Sequence, residues 1–229
     1  MSVTTDPRPA LVLLSGGLDS STLLHHVVKD LGVRRVVALS FDYGQRHDRE
    51  LKAAAAQAAA LPEVIEHVIM DIHFLGAAIA QGSSLVRGGA EVGDLADLKP
   101  GDETQPPTYV PNRNMTLLSL AAACAEARGA TEVYYGAQAQ DEYGYWDCTE
   151  DFLVRINSVL ALNRRDAVHI HAPFVHWRKA DVVRAALRLG VKIEDTWTCY
   201  RGGEKSCGTC PSCVERRKAF LEAGTVDPV

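Results

Sequence analysis

The sequence predicts an α/β fold in which a five-stranded parallel sheet carries helices on both faces, followed by a small metal-binding appendage at the C-terminus. Short apolar runs alternate with segments of helical periodicity over residues 10–194. This alternation is typical of parallel sheets. The first apolar run ends in a glycine-rich turn, and four of the six cysteines lie within residues 199–213. The turn indicates a ligand site, and the cysteine cluster indicates a metal.

The composition is that of an ordinary folded domain. The chain has 229 residues, 47% hydrophobic and 23% charged, which excludes disordered and collagen-like classes. Lys and Arg number 24 against 29 Asp and Glu, for a formal net charge of −5, and this balance argues against a nucleic-acid partner. No apolar run is long enough to span a bilayer, and the first residues lack a leader pattern. We expect a cytoplasmic enzyme of small molecules, with no membrane partner.

The elements of the predicted α/β domain follow one another in regular order over residues 10–194. Residues 1–9 precede it and are expected to be flexible. The predicted strands are residues 10–14, 36–41, 64–70, 132–136 and 169–172. The first predicted helix is the segment after residues 15–20, which places Leu23, Leu24, Val27, Val28 and Leu31 on one face. The other predicted helices are residues 48–61, 113–128, 150–162 and 179–189.

Two stretches do not follow the alternation. Glycines, prolines and acidic residues accumulate in residues 82–111, which predicts a long surface excursion that serves as a lid near the ligand site. Residues 195–229 contain the clustered cysteines and form the predicted zinc-binding tail.

The turn after the first strand, Ser15-Gly16-Gly17-Leu18-Asp19-Ser20, has the composition of a phosphate cradle. Adjacent glycines let backbone amides face an anion, and the following helix N-terminus adds positive potential. The run lacks both the Walker A and the GxGxxG spacing. Asp19 suits a Mg²⁺ ion or a role as a brace of the loop. The alternative is a plain strand-to-helix turn.

This run resembles the pyrophosphate loop, SGGxDS, of the N-type ATP pyrophosphatase superfamily. Residues 40–47 (SFDYGQRH), residues 109–114 (YVPNRN) and the cysteine spacing are similar to the 7-cyano-7-deazaguanine synthase family of the queuosine pathway. The resemblance implies an adenine nucleotide alpha hydrolase-like, Rossmann-like fold, a homodimer and a bound zinc. It also implies that 7-carboxy-7-deazaguanine, ammonia and ATP are converted to the nitrile. Adenylated acid and adenylated amide would be the intermediates, and AMP and pyrophosphate would be released.

The resemblance and the chemistry together nominate site residues. Transfer of an adenylyl group needs positive charge near the departing pyrophosphate, so Asp19, Lys179 and Arg113 are the candidate catalytic residues. Lys179 could instead be a solvated charge, and Arg113 a structural ion-pair partner. The expected ATP contacts are Leu14, Ser15, Gly16, Gly17, Leu18, Asp19, Ser20, Ser21, Ser40, Asp42, Asn114 and Gly136.

Recognition of the deazaguanine is predicted for a second set of residues. The expected substrate contacts are Tyr43, Gln45, Arg46, Asp141, Tyr145, Trp146 and Asp147. A carboxylate such as Asp147 can accept hydrogen bonds from the base edge, and Tyr145 or Trp146 can stack on its face.

The base-recognition segment departs from the family pattern SGYPDCR. Tyr143, Trp146 and Thr149 stand where familiar members have Ser, Pro and Arg. The loss of the arginine removes a possible carboxylate clamp. The reaction could therefore stop at the amide or transfer the activated base to another amine, which could belong to a protein.

The cysteines Cys199, Cys207, Cys210 and Cys213 can present four thiolates to one ion. Tetrahedral zinc with a structural role is the expected occupant, since no position remains for water. A four-iron cluster is the alternative. A zinc-containing RNA-binding or tRNA-thiolating protein is a further functional alternative, which the net charge disfavours.

Overall fold

The structure, a computed structural model, describes residues 8–45, 47–95, 108–139 and 145–229. Its strands are β1 (Ala10–Leu13), β2 (Val36–Asp42), β3 (Val64–Asp71), β4 (Glu132–Tyr134) and β5 (His169–His171). Its helices are α1 (Leu18–Lys29), α2 (Arg49–Ala59), α3 (His73–Ile79), α4 (Arg113–Ala127), α5 (Glu150–Leu160), α6 (Lys179–Leu189) and α7 (Pro211–Glu222). None of the helices in the described ranges is long and apolar enough to cross a membrane.

The strands form one sheet in the order β3-β2-β1-β4-β5, and every pair is parallel. The predicted five-stranded parallel sheet is therefore confirmed. The chain passes from β1 to β2 on one side, whereas β4 lies on the other side of β1. In open α/β sheets a crevice opens where the strand order reverses in this way, beyond the carboxyl ends of the central strands. The fold therefore places a ligand site at the ends of β1 and β4.

Both faces of the sheet are covered by helices, as predicted. On one face, α4 and α5 pack through side chains such as Leu118 and Phe152 against Leu11 and Leu39. On the other face, α1, α2 and α6 pack against alternate residues of the same strands. Near-continuous apolar strands are the sequence pattern that such two-sided burial requires. The short helix α3 was not predicted, because seven residues are too few to show a helical period.

The cysteine-bearing tail, residues 195–229, packs directly against the α/β body, and we call it the cysteine module. The Trp197 amide donates to the Gly16 carbonyl at 3.0 Å. The buried guanidinium of Arg216 pairs with Asp227 at 2.7 Å and donates to Thr196 Oγ1 at 2.9 Å. The predicted C-terminal appendage is therefore present, held together internally by the contacts of Arg216 and joined to the body by contacts such as that of Trp197 with Gly16.

The described part of residues 82–111 includes both exposed and buried residues. Leu85, Val86, Val92 and Val110 are buried and pack against Trp197 and the cysteines of the module. Isolated apolar residues in a glycine-rich, acidic stretch carry no periodicity, so the sequence does not reveal their burial. Residues 96–107 lie outside the described residues.

Candidate active site

A cavity of about 300 Å³ opens at the carboxyl ends of the central strands. The phosphate loop forms part of its wall, and α1 begins at Leu18 directly after this loop. Gly17 occupies the N-cap position without a side-chain cap, so the first amides of α1 are available to an anion. Within the loop, the Ser15 amide donates to Ser20 Oγ at 3.1 Å, and Gly17 N donates to Ser15 Oγ at 3.3 Å. These hydrogen bonds hold the cradle in shape.

The close approach of α2 to the phosphate loop requires a glycine at position 16. The φ of Gly16 is +81°, a conformation that favours glycine. A Cβ there would lie 2.3 Å from the Glu50 carbonyl oxygen and 2.5 Å from the Ala54 nitrogen. Gly16 therefore allows α2 to approach the loop and does not itself line the cavity. At the end of β4, a Cβ on Gly136 would contact the Ser20 amide at 3.6 Å, so this strand closes the cradle from the other side.

Three charged side chains form the phosphate-loop group: Asp19, Lys179 and Glu215. Lys179 and Asp19 make a direct ion pair although they lie 160 residues apart in the chain. Glu215, from α7 of the cysteine module, interacts electrostatically with both. The second carboxylate oxygen of Asp19, Oδ1, is buried and has no hydrogen-bonding partner in the described chain. A buried, unsatisfied carboxylate oxygen has the donor character that Mg²⁺ prefers.

A second group surrounds Arg113 at the start of α4, and we call it the Arg113 group. Its guanidinium interacts electrostatically with side chains from the body and from the cysteine module: Tyr43, Glu50, Tyr145, Cys148 and Tyr200. All of these side chains line the cavity. Burial raises the pKa of Tyr43 and raises that of Glu50 to about 7. One cation therefore faces several aromatic side chains and one carboxyl group.

The structure brings most of the expected nucleotide contacts to this cavity. Those that line it are Leu14, Ser15, Gly17, Leu18, Asp19, Ser20, Asn114 and Gly136, together with the catalytic candidates Lys179 and Arg113. Four others do not line it: Gly16, Ser21, Ser40 and Asp42. Ser40 Oγ instead donates to the Leu14 carbonyl at 2.6 Å, and Asp42 Oδ1 accepts from the Gly44 amide at 3.3 Å. These side chains brace the strand ends.

The expected base contacts are distributed differently. Tyr43, Gln45 and Tyr145 line the cavity, whereas Arg46 and Asp141 lie outside the described residues. Trp146 and Asp147 do not line it.

Trp146 and Asp147 have structural partners instead. The Trp146 indole N–H donates to the Tyr109 hydroxyl at 2.9 Å, and its ring contacts Phe152. Asp147 Oδ2 accepts from the Asn114 amide at 3.0 Å, which caps the first turn of α4. Burial raises the pKa of Asp147. Stacking by Trp146 and edge recognition by Asp147 stay predictions, since neither side chain lines the cavity and the Trp146 N–H and Asp147 Oδ2 bind neighbouring residues.

Thr149, which stands where the family pattern has arginine, caps a helix. Its Oγ1 accepts from the Phe152 amide at 3.2 Å at the start of α5 and donates to the Trp146 carbonyl at 2.9 Å. The side chain does not line the cavity. The position therefore serves local structure in this chain.

Several cavity residues were missed by the sequence analysis. The cysteine module contributes Trp197, Thr198, Tyr200, Ser212 and Glu215, and the body contributes Glu50, Leu85, Thr108 and Cys148. Glu50 follows the YGQRH run by three residues, which is the only sequence signal that could have nominated it. Nothing in the linear pattern nominates the module residues, since they reach the cavity through tertiary docking.

The four cysteine sulfurs lie within 4.8 Å of one another. Cys207 Sγ and Cys213 Sγ are 3.9 Å apart, close to the edge of about 3.8 Å expected for a tetrahedron with Zn–S bonds of about 2.3 Å. Amides of the module donate to these sulfurs, for example Cys210 N to Cys207 Sγ at 3.3 Å. Hydrogen bonds from the Cys210 thiol and Ser206 lower the pKa of Cys213. The cluster is therefore suited to hold one metal ion.

Comparison with known proteins identifies relatives over nearly the whole chain. The family model described as queuosine biosynthesis protein QueC matches residues 9–224. A 7-cyano-7-deazaguanine synthase from Thermoplasma acidophilum is 43% identical over 228 residues, which cover 97% of this chain and 91% of the relative. The 7-cyano-7-deazaguanine synthase 1 from Colwellia psychrerythraea is 40% identical over 222 residues, with 96% of each chain covered.

Solved structures with a similar fold are more distant in sequence. A 4-thiouridine synthetase in complex with RNA and bound ATP has a TM-score of 0.53 and 17% identity, covering 95% of this chain and 50% of the other. The NMN synthetase from Francisella tularensis has a TM-score of 0.52 and 15% identity, covering 96% of this chain and 79% of the other. These similarities show a shared fold.

Proposed function

Since the chain belongs to the queuosine biosynthesis protein QueC family, we propose that it is an ATP-dependent ligase that converts 7-carboxy-7-deazaguanine and ammonia to 7-cyano-7-deazaguanine. The observation that carries this proposal is the match to synthases at 40–43% identity over nearly the full length. The cavity at the carboxyl ends of β1 and β4 supports the proposal, because it contains both the phosphate cradle and the Arg113 group.

Conversion of a carboxylate to a nitrile removes two oxygen atoms, and each must first become a good leaving group. Attack of the substrate oxygen on the α-phosphorus of ATP forms an adenylate and releases pyrophosphate. Ammonia then displaces AMP to form the amide. In a second round the amide oxygen is adenylated, and loss of AMP with the nitrogen-bound protons forms the C≡N bond.

The phosphate-loop group is placed to serve both rounds. The loop amides and the N-terminus of α1 bind the phosphates, and Lys179 offsets the charge that develops on the departing pyrophosphate. Asp19 holds Lys179 through one carboxylate oxygen and has the other available for Mg²⁺. A Mg²⁺ ion bound with ATP would supply additional charge neutralisation there.

The Arg113 group is suited to the base and its carboxylate. Arg113 is a cation in a largely aromatic part of the cavity, beside Tyr43 and Tyr145. A guanidinium binds a carboxylate through two hydrogen bonds. We therefore assign to Arg113 the clamp that the family pattern leads one to expect at position 149, where Thr149 caps α5 instead.

Zinc is our proposal for the metal of the cysteine module. Its support is the compact arrangement of the four sulfurs around a single centre. Thiolates that bind different corners of a four-iron cluster must stand farther apart than thiolates that bind one ion. Four thiolates would leave no open position on the zinc, so its role would be structural. Elemental analysis and colour distinguish the two metals.

A homodimer and a cytoplasmic location complete the proposal. Val154, Val159 and Leu162, on and just beyond α5, are exposed apolar side chains that a second subunit could cover. A reducing compartment suits cysteines that are not in disulfides, and none of the six cysteines, all within the described residues, forms a disulfide.

The test of the proposed function is a product analysis. Purified protein is incubated with Mg²⁺-ATP, ammonium and 7-carboxy-7-deazaguanine, and mass spectrometry follows both nucleotide and base. Nitrile together with AMP and pyrophosphate is the expected result. Amide alone, or AMP without nitrile, would instead identify a ligase that stops early or uses another amine, the alternative raised by the altered YGYWDCT segment.

A further inference from the structure

One carboxyl group in the cavity is engaged by neither the loop nor Lys179. Three carboxyl side chains of the described residues line the cavity: Asp19, Glu50 and Glu215. Asp19 is paired with Lys179, and Glu215 interacts with both. Glu50 instead faces Arg113, and its carboxyl makes no hydrogen bond or ion pair within the described part of the chain.

The backbone fixes Glu50 next to the phosphate loop. It is the second residue of α2, and its carbonyl oxygen lies 2.3 Å from where a Gly16 Cβ would be. The charged and titratable groups that face its carboxyl are Arg113 from α4 and Tyr43 from the segment after β2. The side chain therefore reaches the same space as the adenylating loop and the proposed carboxylate clamp.

The proposed reaction has a requirement that the phosphate-loop group does not meet. Ammonia brings its hydrogens into the cavity, and the nitrile retains none of them. One proton must leave the nitrogen when the amide forms, and the remaining two must leave when the amide becomes the nitrile. Lys179 is a cation, Asp19 is bound to it and Glu215 interacts with this ion pair, so the group has no carboxyl side chain that is independent of Lys179.

We propose that Glu50 is the general base of the amination and nitrile-forming steps. Its carboxylate accepts a proton from the attacking nitrogen as the C–N bond forms and the C–O bond to AMP breaks. It then releases that proton to solvent and accepts the two remaining nitrogen-bound protons in turn, releasing each to solvent, as the adenylated amide loses AMP and the nitrile forms. This assignment rests on the proposed function. Burial raises the pKa of Glu50 to about 7, and a base with a pKa near the working pH transfers protons efficiently.

The test separates adenylation from amination in Glu50→Gln. Exchange of labelled pyrophosphate into ATP, driven by 7-carboxy-7-deazaguanine without ammonia, should stay within about threefold of the wild type. Formation of amide and nitrile should fall by about a hundredfold or more. Glu194→Gln, which replaces an exposed glutamate outside the cavity lining, is the matched control and should leave both rates unchanged.

The pH dependence gives a second readout. At constant free ammonia, wild-type amination should fall as the pH drops below about 7, because Glu50 becomes protonated. Glu50→Gln should lack this limb, and adenylation should not show it in either protein. Equal loss of exchange and amination in the variant would assign Glu50 to ATP binding or folding, and an unchanged amination rate would refute the proposal directly.

Stability provides a readout that does not depend on product formation. The pKa of Glu50 is raised in the fold from an ordinary value of 4.5 to about 7. The favourable contribution of Glu50 to the free energy of unfolding is therefore fully present below pH 4.5 and is lost as the pH rises through 7. Denaturant unfolding should show this loss in the wild type and a smaller loss in Glu50→Gln. A wild-type protein that adenylates 7-carboxy-7-deazaguanine but never aminates it would refute the proposed function. Identical pH profiles of stability in the wild type and in Glu50→Gln would instead refute the raised pKa of Glu50.

Discussion

The phosphate-loop group and the Arg113 group occupy one cavity but are assembled in different ways. Asp19 and Lys179 lie in the first turns of α1 and α6, the helices of the α/β body that follow β1 and β5. Arg113 also begins a helix, but its partners come from the segment after β2, from α2, from residues 145–148 and from the cysteine module. Apart from Glu215, the first group follows from the α/β fold itself, whereas the second requires several loops and the module to dock correctly.

The difference shows where the cysteine module contributes to the site. It adds Glu215 to the phosphate-loop group and Tyr200 to the Arg113 group. A metal bound by the four sulfurs would therefore stabilise one wall of both groups at a distance from the reacting atoms. The module positions side chains at the wall of the cavity, whereas the α/β body forms the phosphate cradle.

The largest effect is expected from Cys210→Ser, because this change disrupts the contribution of the module to both groups. Cys210 is fully buried in the cluster, and loss of one thiolate weakens a structural metal site whose binding energy stabilises the fold. We expect loss of bound metal, a separate low-temperature unfolding transition of the module and loss of ATP binding. Elemental analysis, calorimetry and titration with ATP measure these three effects.

Cys124→Ser is the control for this variant. Cys124 is also buried, but it lies on α4 and accepts from the Arg128 guanidinium at 3.1 Å, away from the cluster. It should keep the metal and bind ATP. A Cys210→Ser protein that is free of metal yet melts in one transition and binds ATP normally would show that the module does not depend on the metal.

The next largest effect is expected from Lys179→Met, which disrupts the phosphate-loop group alone. Removal of the cation leaves Asp19 without its ion-pair partner and the pyrophosphate without one positive charge. We expect pyrophosphate release to slow by about a hundredfold to a thousandfold. The metal content should be unchanged. Labelled ATP measures the release, and Lys52→Met, at an exposed ion pair on α2, is the matched control.

An unchanged rate in Lys179→Met would return Lys179 to the alternative of a structural charge. A protein that loses metal or unfolds would instead show that the Asp19 ion pair supports the docking of the module. The two groups would then be less independent than their contacts indicate.

The two groups also differ in how far the sequence predicts them. The sheet, its helices and the phosphate loop follow from hydrophobic periodicity and one contiguous motif, and Lys179 is the first residue of a predicted helix. The Arg113 group combines residues that are distant in sequence, such as Tyr43 and Tyr200. Hydrophobic periodicity within one segment does not predict a contact between distant segments.

Hydrogen-bond partners explain why two expected base contacts, Trp146 and Asp147, do not line the cavity. The sequence shows that Trp146 and Asp147 are capable of binding a base, but not that their polar atoms are already used. The N-terminus of α4 needs an acceptor, which Asp147 supplies, and the Tyr109 hydroxyl accepts from Trp146. These partners become visible only when the segments around residues 109 and 146 are placed side by side.

The smallest effect is expected from Trp146→Phe, which tests whether Trp146 acts together with the Arg113 group or only in local structure. Phenylalanine keeps the ring near Phe152 but removes the indole N–H that donates to the Tyr109 hydroxyl. We expect a loss of about 1 kcal/mol in the free energy of unfolding and little change in KM for the base. Tyr109→Phe removes the same hydrogen bond from the other side, so the double variant should be less destabilised than the sum of the two single variants.

If Trp146 stacked on the base, Trp146→Ala would raise KM strongly at unchanged kcat. Because the Trp146 ring does not line the cavity, we expect Trp146→Ala to lower stability while KM stays within about threefold of the wild type, as for a residue that braces the neighbouring Tyr145.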